Sequence, residues 1–151
     1  MKDEGYDAFL WQGQRVEGGI RTAAELWCAD PAAAKAQYGP IASWDTSEIT
    51  NMRELFVYKA NFNDDISRWR VSSVLDMSFM FASATSFNGD LSQWDVSNVR
   101  YMRGMVDGAT SFTHQLGGTW STSTANKYEM FRNCPGGSIA GKTNNAEGTP
   151  E

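Results

Sequence analysis

The sequence contains one histidine, two cysteines and four prolines in 151 residues. A lone His114, with no Ser or Cys in a nucleophile context, leaves no catalytic dyad or triad to assemble, so no enzyme is expected. Cys28 and Cys134 lie near opposite ends; two free thiols are expected, with no disulfide framework, metal site or cofactor. Basic residues are also scarce: 13 Lys and Arg against 18 Asp and Glu give a net charge of −5. That balance argues against a nucleic-acid or anionic-membrane partner, because phosphate binding needs clustered cations. No apolar run approaches the roughly 18 residues of a membrane-spanning helix, so no membrane insertion is expected. The opening "MKDEGYDAFLWQGQ" lacks the apolar stretch of a signal peptide, and localisation stays open.

What the chain does have is a repeat. At an offset of 25 residues, Met52, Met77 and Met102 fall in register, as do Phe62, Phe87 and Phe112. Ile41, Ile66, Leu91 and Leu116 form another series, and Ile49, Val74 and Val99 a further one. Trp44, Trp69 and Trp94 continue one residue late as Trp120, after the insertion at Gly117 to Thr119; Met80, Met105 and Met130 return to register. A period of 25 falls in the 20–29 range of leucine-rich repeats. The part holding Phe87, Leu91 and Trp94 suits a short strand. The part with Val99, Met102, Met105, Val106 and Ala109, spaced by threes and fours, suits a short helical turn.

The expected fold is thus an α/β repeat: a leucine-rich-repeat-like right-handed solenoid of short strands and short helical turns, with an N-terminal helical cap. Residues 1–19 form an N-terminal extension and 20–40 the cap. Within the cap, Ile20, Ala23, Ala24, Leu26 and Trp27 share a helical face, and Asp30-Pro31 opens a second helix that stops at Gly39. Residues 41–134 hold about four coils, and 135–151 are a Gly/Asn/Thr-rich tail.

"MFASATSFNGDLSQWDVSNVRYM" resembles the BspA-like leucine-rich-repeat family, in the 25-residue form described from mycoplasma lipoproteins and microalgae. Met80, Phe81, Ala84, Phe87, Asn88, Leu91, Ser92, Trp94, Asp95, Val96, Ser97, Val99 and Met102 follow its pattern position by position. The preceding unit follows it too, with Arg70 in place of the Asp. The resemblance spans about Ile41 to Cys134. It implies a solenoid of a kind often secreted or placed at cell surfaces, where it binds other molecules, and it brings no catalytic residue.

The Trp series, like the Phe and Met series, reads as core before it reads as a ligand-binding stripe. Asn63 and Asn88, with Thr113 after them, suit a ladder bonding neighbouring backbone. The alternative, a Ca²⁺ site with Asp64, Asp65 and Asp90, lacks a dense Asp/Gly loop. Gly136 to Thr143 spells the phosphate-loop pattern G-x-x-x-x-G-K-T, but without a preceding buried strand. Thr46, Thr50, Thr85, Thr110 and Thr122 form no continuous rank, which weakens an ice-binding reading. The candidates for partner binding are the polar residues of the strand faces and corners: Asp65, Ser67, Arg68 and Arg70 in one unit, and Asp90, Ser92, Gln93 and Asp95 in the next. The expected function is non-catalytic recognition or adhesion, with the sheet face meeting a protein or carbohydrate ligand. A purely structural scaffold is the alternative, and end-to-end self-association through an imperfectly capped last coil is a further possibility.

Overall fold

A computed structural model describes residues 9–11, 14–15 and 19–143. The chain opens with a two-residue hairpin, β1 (Leu10–Trp11) against β2 (Gln14–Arg15). Leu10 then exchanges both backbone bonds with Asp45. Helix α1 (Gly19–Ala29) buries Ile20, Ala23, Ala24 and Trp27 on one face. Helix α2 (Pro31–Tyr38) starts where the Asp30 carboxylate accepts the Ala33 N–H at 3.1 Å, and Pro31 supplies the preset φ of a first helical position. It ends at Gly39, whose φ of 79° suits a residue without a Cβ. A 3₁₀ turn (Ile41–Ser43) leads into the repeats.

The expected solenoid of strands and helical turns is not what the chain forms. After the 3₁₀ turn, the described residues hold only β3 (Gln115–Leu116), the four-residue α3 (Thr119–Thr122) and β4 (Ser138–Ile139), which pairs in parallel with β3. The segments around Phe87 to Trp94 and Val99 to Ala109, read as strand and helix, are turns and irregular backbone. No continuous sheet face exists among the described residues.

The reason lies in the backbone. Glu54, Tyr58, Phe79, Ser83, Glu129 and Asn133 have positive φ, and Gly104 and Gly108 hold the same places in the third unit. A left-handed residue at every fourth position interrupts both helix and strand. It also turns alternate N–H groups one way. Met52, Glu54, Phe56 and Tyr58 donate to the carbonyls of Asp76, Ser78, Met80 and Ala82. Met77, Phe79, Phe81 and Ser83 donate likewise to Tyr101, Arg103, Met105 and Asp107. Met102, Gly104, Val106 and Gly108 donate to Asn126, Tyr128, Met130 and Arg132, all at 2.7–3.1 Å. Every N–H in these rows points toward the C-terminal neighbour. Every accepting carbonyl points back. The intervening N–H groups close turns within their own segment, as Leu55 does on Met52 and Val57 on Glu54, which satisfies the backbone without regular secondary structure.

The core is the space enclosed by these turns. Met52, Met77 and Met102 are fully buried, as are Phe87 and Phe112. Phe56 stacks on Phe62 at 4.0 Å and Phe81 on Phe87 at 3.9 Å, and Phe62, Phe87 and Phe112 follow one another at about 6 Å. In the last unit Gly137 occupies the Phe position. A Cβ there would press on the Phe112 and Phe131 rings at 2.9 Å. The four indoles Trp44, Trp69, Trp94 and Trp120 are all buried. Trp69, Trp94 and Trp120 donate Nε1–H to the carbonyls of Ile41, Ile66 and Leu91 in the preceding unit, at 2.8, 3.1 and 3.0 Å. Trp44 turns instead to Gly39 in the cap, at 3.1 Å. Each indole therefore fills the core and ties one unit to its predecessor. Both cysteines are free thiols. No helix of the described residues is long and apolar enough to cross a membrane.

Candidate functional site

The corners of the units are built from Asp-x-Ser. The carboxylates of Asp45, Asp65, Asp90 and Asp95 accept the N–H of Ser47, Ser67, Ser92 and Ser97 at 2.9–3.1 Å. For Asp45 and Asp95 the serine hydroxyl donates as well, at 2.6 Å. These bonds to the serines hold all four carboxyls below the usual carboxylate range. Three of the sequence candidates, Asp65, Asp90 and Asp95, thus spend one oxygen on shaping their own turn.

Between two such corners lies an open hollow of about 570 Å³. Trp69 and Val71 are buried beneath it; Ser67, Arg68, Arg70, Ser72, Gln93 and Asp95 form its polar lining. The structure therefore brings five sequence candidates together, while Asp65, Asp90 and Ser92 lie outside the lining. Arg68 and Arg70 are exposed, and neither guanidinium has an ion-pair or hydrogen-bond partner among the described residues. Arg70 stands where Asp45 and Asp95 stand in the neighbouring units, and its charge helps hold the Asp45 carboxyl down. A planar guanidinium presents a fork of donors matched to carboxylate or sulfate oxygens, and two side by side concentrate that capacity.

A second surface run escaped the sequence reading. The Arg53 guanidinium lies 5.2 Å from the Phe79 ring centre, and Arg103 lies 5.9 Å from Phe79 and 5.3 Å from Tyr128. Arginines and rings alternate along it, a cation–π ladder. Its signal is faint in sequence, because Ser78 and Gly104 interrupt each residue type at the repeat spacing. Gly104 is needed, since a Cβ there would collide with the Phe79 ring. Lys127 was likewise missed: it takes the Met position of the last unit, is buried, and donates to the carbonyls of Ser123 and Ala125.

The other sequence candidates have structural occupations. Asn63 accepts the N–H of Asn88 at 2.8 Å, and Asn88 that of Thr113 at 2.9 Å, bonding unit to unit. Asp64 accepts the Trp27 indole N–H from the cap at 2.9 Å. No group of three His, Cys, Asp or Glu among the described residues could hold a metal ion. Within Gly136 to Thr143, Ser138 and Ile139 are an extended strand bonded to β3, which is not a phosphate cradle. His114 sets Nε2 3.0 Å from the Asn88 carbonyl.

No curated protein and no solved structure matches the chain. Residues 29–141 match the model of a family described as "Mycoplasma protein of unknown function, DUF285". The match takes in α2, the whole ladder of turns and the hollow at Arg68 and Arg70, and so the chain belongs to the DUF285 family.

Proposed function

We propose that this chain is a non-catalytic recognition module that binds an acidic site on a protein or glycan through the hollow at Arg68 and Arg70. The observation that carries this reading is the pair of guanidiniums that have no ion-pair or hydrogen-bond partner among the described residues, beside a concave surface, in a chain whose net charge is −5. Two guanidiniums on one rim that are unpaired among the described residues are available to a ligand. The corners support the same reading. Asp-x-Ser turns fix the backbone on both sides, so the rim is preorganised and little ordering entropy opposes binding.

A non-catalytic role is supported by the reactive side chains. Burial pushes the Cys28 thiol up to about 11 and raises that of Cys134, the opposite of an activated nucleophile. Within DUF285 we place the chain with BspA-like leucine-rich-repeat proteins on the strength of its unit pattern from Met80 to Met102. Extracellular adhesion is the role that kinship suggests.

The test is an array of immobilised proteins and glycans probed with the chain at two salt concentrations. Ligands rich in carboxylate or sulfate, retained at low salt and weakened at high salt, are expected. An array with no retained ligand, or with only neutral ones, would leave the Arg68–Arg70 hollow without a function and return the chain to a scaffold role.

A further inference from the structure

The hollow at Arg68 and Arg70 is polar throughout its accessible lining. Its two apolar residues are closed off, with Trp69 3% exposed and Val71 2%, and every other lining residue is polar. Arg68 and Gln93 hold one place in successive units and Arg70 and Asp95 another, 25 residues apart in each case. All four are exposed. Both bonds from Ser97 end on Asp95 Oδ1, so Oδ2 has no donor among the described residues. The Gln93 amide makes no hydrogen bond among them either. The hollow therefore combines two donor-only forks, one acceptor-only oxygen and an amide that does both.

We propose that the ligand of this hollow is a carboxylated sugar, a glycan residue whose acid group docks on Arg68 and Arg70 while its hydroxyls serve Gln93 and Asp95; this rests on the hollow being the recognition surface. Charge supports that choice first. Arg70 acts on the Asp45 carboxyl and Arg68 on that of Asp65, so with Asp95 two cations stand among three carboxylates. Such a neighbourhood has no surplus of positive charge to gather a run of acidic groups, but two forks still grip one carboxylate at short range. Asp95 sharpens the limit. In register with Arg70 and with Oδ2 unspent, it repels a second acid and accepts from a hydroxyl. A sugar acid supplies that combination, one carboxylate on a ring of O–H groups that both donate and accept. The side chains of an acidic peptide supply carboxylates that only accept. The lack of an apolar anchor points the same way. Protein interfaces concentrate their binding energy in anchors packed into desolvated pockets, and no exposed apolar side chain lines this hollow.

The probes are trigalacturonate and triglucuronate, their methyl esters, and an end-blocked triglutamate of the same charge as the acids. Each is titrated at millimolar concentrations into the isotope-labelled full chain, whose backbone, arginine and glutamine side-chain NMR signals are followed. At least one sugar acid should shift the signals of Arg68, Arg70 and Gln93 and bind about tenfold or more tighter than triglutamate, and its methyl ester should lose about tenfold. Asp95→Asn, which keeps an Oδ1 to cap Ser97 but drops the charge, should cut the preference for sugar over peptide to about threefold or less. Gln93→Ala, at an exposed side chain without bonds among the described residues, should weaken the sugar and spare the peptide. Triglutamate bound at Arg68 and Arg70 as tightly as the sugars would overturn the inference and leave the recognition reading standing, with an acidic protein as partner. A methyl ester as tight as its acid, or a preference unmoved by both variants, would overturn it too. Sugar acids that shift nothing, while acidic array ligands still depend on Arg68 and Arg70, would refute the sugar alone. Arginines to which no acidic ligand binds at all would sink both readings.

Discussion

Replacing Trp94 with phenylalanine tests the role of the indoles in tying unit to unit. The side chain is 2% exposed and donates Nε1–H to the Ile66 carbonyl, 28 residues earlier, at 3.1 Å. Phenylalanine keeps the ring but not the donor. A buried carbonyl left without its partner costs about 1–3 kcal/mol. The lost indole volume, roughly 40 Å³ at about 24 cal/mol per Å³, adds about 1 kcal/mol. The expected destabilisation is therefore about 2–4 kcal/mol, a large share of the 5–15 kcal/mol typical of a folded domain. Phe87→Leu is the control, because it removes buried volume without touching a hydrogen bond and should cost about 1 kcal/mol. Urea unfolding followed by circular dichroism measures both, with unchanged m-values required for the comparison. A Trp94→Phe loss below about 1 kcal/mol, or one no larger than that of Phe87→Leu, would refute the claim that the indole bonds hold successive units together.

Gly104→Ala should destabilise by about 1–3 kcal/mol, since it strains a φ of 57° and drives a Cβ into Phe79; Tyr58→Gly, at an exposed residue with φ of 62°, should lie within about 1 kcal/mol of wild type. Thermal melting distinguishes the two. The depressed carboxyls of Asp45, Asp65, Asp90 and Asp95 contribute stability that is present above the ordinary Asp value of about 3.9 and lost as pH falls through their lower folded values. Melting temperature should therefore drop on acidification below about pH 4, with Asp107, raised by burial, acting weakly in the opposite sense. A melting temperature flat to pH 2 would contradict the corner bonds. Cys28, pushed up to about 11 mainly by burial with Glu25 and Asp64 nearby, should be alkylated at pH 8 about two orders of magnitude more slowly than an unperturbed thiol of pKa about 8.5, and equal rates would count against its half-buried placement.

The period of 25 is plain in the sequence because large apolar residues return to the same enclosed space: Phe62, Phe87 and Phe112 stack because they share a place in successive turns. The backbone that carries them is not legible. Val99, Met102, Met105, Val106 and Ala109 are spaced by threes and fours, as on a helix, yet that spacing arises from turns closed every three residues and broken by left-handed positions. Only Gly104 and Gly108 hint at those positions; Phe79 and Ser83 adopt the same φ with nothing in their side chains to announce it. Five of the eight partner candidates share one hollow, although in the sequence all eight read as polar residues of strand faces and corners on a sheet that the chain does not form. The carboxylates among them looked equally available, although Asp-x-Ser is also the signature of a turn whose N–H the acid caps. Arg53 and Phe79 were missed because a surface stack of unlike side chains leaves no periodic trace.

The recognition reading stands or falls on the two arginines. The ligands retained on the protein and glycan array should be measured again with Arg68→Gln/Arg70→Gln, a change at exposed side chains that make no hydrogen bond or ion pair among the described residues, so the melting temperature should stay within about 2 °C of wild type. The account predicts that the double variant loses at least tenfold in affinity for acidic ligands and most of the salt dependence of binding. Unchanged affinity in a variant that melts normally would contradict it.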